Sequence, residues 1–101
     1  MLDAAEAAAD FARGRTRRDL EADRMLLFAL TRAIEIVGEA ASKVGEGTRA
    51  QLSRIPWPMI VAMRHRIVHA YFDINLDILW RTVAEELPAL VHELRRGLES
   101  E

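Results

Sequence analysis

The sequence contains no cysteine, and several other features that would narrow its function are also missing. Without cysteine, neither disulfides nor thiolate metal sites can form, and a cytoplasmic protein is the default expectation. No apolar run approaches the roughly 20 residues that a membrane-spanning helix needs. The alanine-rich N-terminus carries acidic residues, so we expect no secretory signal. The chain also lacks a glycine-rich phosphate loop, internal repeats and the residue alternation typical of strands.

Lysine is almost absent as well, because Lys43 is the single lysine among 14 lysine and arginine residues, and the net charge is -2. A strongly basic nucleic-acid binder would have a different charge balance. Arginine is nevertheless the better phosphate partner, since its planar guanidinium donates hydrogen bonds in pairs. One cluster of arginines could either contact RNA phosphates or form a solvated loop. It consists of Arg13, Arg15, Arg17 and Arg18.

Helical periodicity runs through most of the 101 residues. Half of the residues are hydrophobic and 30% are charged, a composition typical of one soluble globular domain, here residues 1–101. The predicted fold is all-α, an antiparallel four-helix-type bundle with short extra turns. Apolar spacing predicts helices over residues 1–13, 19–44, 57 to 71 or 72, and 76–98.

Four residues carry more specific structural predictions. Gly38 lies inside the second helix, where it costs about 1 kcal/mol relative to alanine, so we expect close approach of another helix there. Trp57 is expected to be a core or interface anchor. Asn75 should cap the last helix, and Pro88 should kink or break it, because proline removes a backbone donor. Wide apolar stripes on the second and last helices predict a homodimer, with a higher assembly also open.

The stretch from Met63 to Phe72 holds an unusual set of reactive side chains within an apolar run. On a helix, which turns about 100° per residue, Arg64 and Tyr71 would fall on nearly the same line, with His65 and His69 one turn apart beside them. No packing requirement explains this set, so it predicts the functional centre. Three other interpretations stay open: a structural role for His69, a core hydroxyl for Tyr71, and a histidine pair on a metal. The pair lacks a third ligand nearby in sequence, so we predict no metal site.

Arg64, His69 and Tyr71 resemble the Arg-x4-His-x-Tyr motif of the HEPN superfamily, in particular of its HepT-like toxins. The similarity extends over residues 20 to 96, because flanking segments occur in the same order. The one departure inside the motif is His65, where relatives most often have asparagine. The flanking segments are Ile34 to Ala41, Ile55-Pro56-Trp57, Phe72 to Trp80 and Glu86-Leu87-Pro88.

This resemblance implies a dimeric helical bundle with two motif helices at a composite cleft. It also implies metal-independent RNA cleavage, without a cofactor, in a two-gene system with a minimal nucleotidyltransferase antitoxin. Arg64 and His69 would be catalytic and His65 supporting, while the antitoxin would transfer AMP onto Tyr71. The residue chemistry suits these roles, because histidine titrates near neutral pH and arginine stays charged.

A second hypothesis is a non-catalytic helical adaptor that binds a nucleotidyltransferase and presents its substrate or nucleotide. The acidic net charge and the histidine at position 65 favour this version. The two hypotheses differ in whether the chain cleaves RNA. Neither gives a role to Arg66 or His92, which we expect at the surface.

Overall fold

A computed structural model of the chain describes residues 1–70 and 73–99. Helices dominate this part of the chain, and its strands form a single short ribbon. In chain order the elements are α1 (Leu2–Ala12), α2 (Asp19–Ala22), α3 (Arg24–Ser42), α4 (Glu46–Gln51), α5 (Trp57–Val61), α6 (Met63–Ile67), β1 (Val68–Ala70), β2 (Asp73–Ile74), α7 (Leu76–Arg81), a π-helical turn (Thr82–Glu86) and α8 (Leu87–Glu99).

Helix α3 lies at the centre of the fold. Its apolar residues recur every three or four positions, and the inward stripe from Leu26 to Ala41 is buried. Helices α1, α5 and α6 pack against α3, and α1 also packs against α8. The prediction of an all-α fold is confirmed, with four helical segments formed by α1, α3, α5–α6 and α7–α8.

The predicted helix over residues 19–44 is wrong as a single element, because the chain breaks at Asp23. Asp23 has an extended backbone, and its side chain accepts a 3.1 Å hydrogen bond from the amide of Leu26. An aspartate in this position satisfies an unpaired amide in the first turn of a helix. Asp23 therefore ends α2 and caps the start of α3.

The predicted helix over residues 57 to 71 or 72 is also wrong, because it pauses at Ala62 and ends at Ile67. Val68 is extended, and β1 pairs with β2 in an antiparallel ribbon with an irregular register. The amide of Asn75 donates a 2.8 Å hydrogen bond to the carbonyl of Ile67. The Ile67 carbonyl therefore accepts its hydrogen bond from the returning chain, not from a further turn of the helix. Residues 71 and 72 lie outside the described part of the chain.

Three of the specific structural predictions concern packing and caps, and all three are confirmed. A Cβ on Gly38 would lie 3.4 Å from the carbonyl oxygen of Val61, so α5 approaches α3 at this glycine. Trp57 is buried, and its indole N–H donates to the carbonyl of Leu52 at 3.2 Å. The side chain of Asn75 accepts a 3.0 Å hydrogen bond from the Ile78 amide at the start of α7.

The irregularity expected at Pro88 takes the form of a π-helical turn just before it, over Thr82–Glu86. The Thr82 hydroxyl donates a 2.8 Å hydrogen bond to the carbonyl of Ile78 across the junction with α7. A π turn takes one more residue than an α turn, so it rotates the following side chains relative to a continuous α-helix. The last segment therefore stays helical from Leu76 to Glu99, with a change of helical phase before Pro88 rather than a loop.

The molecule is thin, with principal extents of 42 × 28 × 16 Å. This shortest dimension corresponds to about two layers of helices, since the axes of packed helices lie about 8–10 Å apart. None of the helices in residues 1–70 and 73–99 is long and apolar enough to cross a membrane.

Candidate active site

Helix α6 is anchored by two buried residues and presents charged residues between them. Met63 and Ile67 are fully buried one turn apart. At about 100° per residue, Arg64 and Arg66 must then flank this buried line on opposite sides, while His65 faces away from it. The observed exposure agrees, because Arg64 and His65 are exposed and Arg66 is half-buried.

Arg64 lies next to α3 and shares a carboxylate with another arginine. Its Nε lies 3.8 Å from Oε2 of Glu35, and the same oxygen lies 3.7 Å from the guanidinium of Arg32. About half of the Arg64 side chain is open to solvent (47%). The long distance and this exposure leave most of its hydrogen-bonding capacity available to an anion.

The structure does not place the two motif histidines one helical turn apart. His65 is on α6, whereas His69 lies in β1, where the backbone is extended. The predicted i, i+4 relation between them is therefore wrong. The His69 side chain and all of Tyr71 lie outside the described part of the structure, so their predicted roles stay predictions.

Arg66 is partly exposed, in line with the surface position expected from the sequence, and it also forms an ion pair. Its two terminal nitrogens donate to the two carboxylate oxygens of Glu86 at 3.3 and 3.2 Å. Its Nε is buried and has no hydrogen-bond partner within the described residues. Arg66 and Glu86 also line the walls of two surface cavities of about 230 and 370 Å³.

The arginine cluster after α1 is largely occupied by carboxylates. Arg13 pairs with Asp10 at 2.7 Å, and Arg15 pairs with Asp23 at 2.6 Å. Arg17 hydrogen-bonds to Asp77 and Glu21, and the bond to Asp77 is the main reason that its pKa lies above the ordinary value. These pairs favour the interpretation of an internally paired surface loop over that of an RNA contact.

A face of α3 exposes large apolar side chains to solvent. Met25, Phe28 and Ile36 have exposed fractions of 83%, 55% and 38%. Their spacing puts them within one quarter of the helix circumference, with Arg32 among them. Because Glu35 borders this face and contacts Arg64, the apolar face is continuous with the candidate active site.

Two residues of this region were not assigned any role from the sequence. Glu35 and Glu86 contact Arg64 and Arg66 across sequence separations of 29 and 20 residues. Helical periodicity relates only residues three or four apart, so no local pattern could pair them. Within the described residues, no group of three or more histidines and acidic residues is arranged to hold a metal ion.

The comparisons with known proteins agree on a single family. A family profile described as "Ribonuclease HepT-like" matches residues 1–96. The chain is 35% identical over 90 residues to "Probable ribonuclease HepT" of Thermococcus cleftensis, covering 89% of this chain and 82% of the relative.

Two further relatives are named as candidate RNases. The one from Caldanaerobacter subterraneus is 34% identical over 89 residues, which is 88% of this chain and 80% of that protein. The one from Methanocaldococcus jannaschii is 29% identical over 94 residues, which is 93% of this chain and 86% of that protein. No solved structure matches the chain.

Proposed function

This chain belongs to the HepT-like ribonuclease family, and we propose that it is an endoribonuclease whose reaction is carried by Arg64 and His69 without a metal ion. The observation that carries the proposal is the exposure of Arg64 and His65 on a helix whose opposite side is fixed in the core. Three relatives named as ribonucleases support the substrate class.

The proposed reaction is an internal transfer at phosphorus. The 2′-hydroxyl oxygen attacks the adjacent phosphate, and His69 accepts the hydroxyl proton as general base. Arg64 stabilises the negative charge that builds up on the phosphoryl oxygens. The bond from phosphorus to the 5′-oxygen breaks, and that oxygen is protonated as it leaves. The products are a 2′,3′-cyclic phosphate and a 5′-hydroxyl end.

A homodimer would supply the second acid–base group. We propose that the partner subunit packs on the exposed apolar face of α3, formed by Met25, Phe28 and Ile36. This face borders Glu35 and so leads to Arg64. Two-fold symmetry would then bring His69 of the partner subunit to the same cleft, where it could protonate the leaving oxygen.

The regulatory part of the proposal concerns a partner protein. A cognate minimal nucleotidyltransferase would neutralise the ribonuclease by transferring AMP from ATP to the hydroxyl of Tyr71, releasing pyrophosphate. The added adenylate would bring a negative phosphate next to the RNA-binding residues and repel the substrate. Incubation with the transferase and ATP should add the mass of one AMP, and Tyr71→Phe should block the addition.

The decisive experiment compares the parent chain with two single-histidine variants. Purified parent, His69→Ala and His92→Ala are each incubated with cellular RNA in excess chelator, and the RNA ends are mapped. His92 is exposed on α8 and serves as the matched control. We expect cyclic-phosphate ends from the parent and from His92→Ala, and none from His69→Ala.

Other outcomes would reject particular parts of the proposal. Cleavage that stops in chelator would remove the claim of metal independence. Cleavage by His69→Ala at the parent's rate would show that the catalytic assignment is wrong. No cleavage by a parent chain whose intact mass shows no added AMP would favour the adaptor hypothesis, which is in line with the net charge of -2.

A further inference from the structure

The ion pair between Arg66 and Glu86 is bidentate. Two hydrogen bonds of 3.3 and 3.2 Å join the two terminal nitrogens of the guanidinium to the two oxygens of the carboxylate. Such fork-to-fork pairs fix orientation as well as distance. Both side chains are about two-thirds shielded from solvent, with exposed fractions of 35% and 28%. The pair is therefore less screened than an ordinary surface salt bridge.

Helix α6 gains directional support from this pair, because the helix itself is short and irregular. It has five residues, no side-chain cap, a break before it at Ala62 and a strand directly after it. A helix this short is not stable alone. Met63 and Ile67 pack it against the core, and the Asn75 amide donates to the Ile67 carbonyl. The Arg66–Glu86 pair adds an oriented contact from an α6 side chain.

The only other polar contact of an α6 side chain within the described residues is much looser. It joins Arg64 to Glu35 at 3.8 Å on the opposite flank, where both groups are more open to solvent. Since Arg66 lies two residues after Arg64 and three before His69, the rotation of α6 sets where Arg64 points and where β1 begins. The Arg66–Glu86 pair is the closer and better oriented of the two contacts.

The π-helical turn explains how Glu86 reaches this position. Glu86 is the last residue of the turn, which starts at Thr82. The extra residue of a π turn rotates Glu86 relative to its direction in a continuous α-helix. Turns of this kind occur frequently at functional sites.

We propose that Arg66 and Glu86 are positioning residues of the ribonuclease, and that their ion pair fixes the rotation of α6 and so aligns Arg64 and His69 for cleavage. This inference rests on the proposed function. It assigns no contact with RNA to either residue. Misplacing catalytic groups by about 1 Å can reduce a rate by as much as 10²-fold, so a loose α6 should lower the rate of the chemical step.

The test uses the full chain and four variants: Glu86→Gln, Arg66→Gln, the reciprocal exchange Arg66→Glu with Glu86→Arg, and Glu85→Gln as control. Glu85 neighbours Glu86 but pairs with Arg81 at the surface, at 3.9 Å and with both groups over 70% exposed. Cleavage kinetics are measured well below each variant's melting temperature. Hydrogen exchange is measured on the amides of residues 63–70.

We expect Glu86→Gln and Arg66→Gln to lower kcat by at least about tenfold, with KM within about twofold of the parent's. Exchange over residues 63–70 should become faster in both, whereas Glu85→Gln should match the parent. The reciprocal exchange should recover part of kcat, because it restores the pair with its charges reversed.

If Arg66 and Glu86 only stabilise the fold, the variants should behave differently. Glu86→Gln and Arg66→Gln would then melt at lower temperature but keep the parent's kcat when folded, and that result overturns the proposal. A rise in KM at unchanged kcat would also overturn it, since it would indicate RNA binding. If the parent itself cleaves no RNA, the proposed function fails and this proposal fails with it. An active parent with equally active variants rejects the positioning role alone.

Discussion

Arg64 carries its charge at the surface, and the carboxylate of Glu35 partly opposes it. Glu35 lies between Arg32 and Arg64 at distances of 3.7 and 3.8 Å, so both cations share one anion. An RNA phosphate bound by Arg64 would therefore also feel repulsion from Glu35. At contact distance in water, two unit charges interact by about 1 kcal/mol, which limits the size of this effect.

Glu35→Gln should tighten RNA binding by about threefold, because it removes the nearest negative charge from Arg64. The measurement is fluorescence anisotropy with labelled RNA, in a His69→Ala background that prevents cleavage. Glu39→Gln is the matched control, since Glu39 lies on the same helix and pairs with Lys43 at 3.7 Å. Equal tightening by both variants would mean that only the net charge matters and that Glu35 has no special relation to Arg64.

At the scale of single elements, the break between α2 and α3 depends on Asp23. The hydrogen bond from the Leu26 amide is the main cause that lowers the pKa of Asp23, and the hydrogen bond from Arg15 adds to it. A carboxylate whose pKa is lower in the folded than in the unfolded chain stabilises the fold above its unfolded pKa. That stabilisation is lost as the pH falls through the folded pKa.

Because the pKa of Asp23 is lowered by folding, we expect the free energy of unfolding to fall on acidification below about pH 4, the usual pKa range of aspartate. Asp23→Asn should keep the cap but remove this part of the pH dependence, because asparagine accepts the same amide hydrogen bond without titrating. Asp23→Ala should be less stable than the parent at pH 7 as well. Thermal melts of the three proteins between pH 3 and 7 test this, and parallel curves for parent and Asp23→Asn would contradict it.

The contact between α3 and α5 gives a prediction about packing. A Cβ at Gly38 would already meet the carbonyl oxygens of Val61 and Ile60 at 3.4 and 3.5 Å. The larger side chain of Gly38→Val should force the helices apart and cost about 1–3 kcal/mol of unfolding free energy. Gly47→Ala is the control, because a Cβ there meets no atom within 4 Å. It should be neutral or stabilising in urea melts, and an unchanged midpoint for Gly38→Val would contradict the prediction.

At the scale of the whole molecule, the thin shape helps to explain why one face of α3 is exposed. With a shortest extent of 16 Å, the chain has few ways to cover both faces of its central helix. Large exposed apolar side chains grouped on one face are typical of protein interfaces. A second copy of the chain would cover this face on both subunits at once.

Phe28→Arg should weaken the proposed homodimer by at least about tenfold, because a central aromatic residue often dominates the binding energy of an interface. Sedimentation over a range of micromolar concentrations measures the effect. Met59→Arg is the matched control, since Met59 is similarly exposed (48%) but lies on α5. A parent that sediments as a monomer would reject the dimer and, with it, the composite cleft.

The sequence by itself determined the helical class and several local features. Apolar spacing specified the buried stripe of α3, and the identities of Asn75 and Gly38 indicated a cap and a close approach. These features depend on residues a few positions apart or on the chemistry of one side chain. Local patterns are therefore sufficient to predict them.

The ends of the helices and the pairing of charges were decided by the tertiary structure. The helix through Met63 was expected to continue to residue 71 or 72, but the Ile67 carbonyl is taken by the Asn75 amide of the returning chain. Glu35 and Glu86 meet Arg64 and Arg66 only because the fold brings α3 and the end of the π turn next to α6. The sequence named Arg64 as a candidate, but the environment of its charge depends on contacts between distant segments. No periodic pattern contains those contacts, because they form only when the chain is folded.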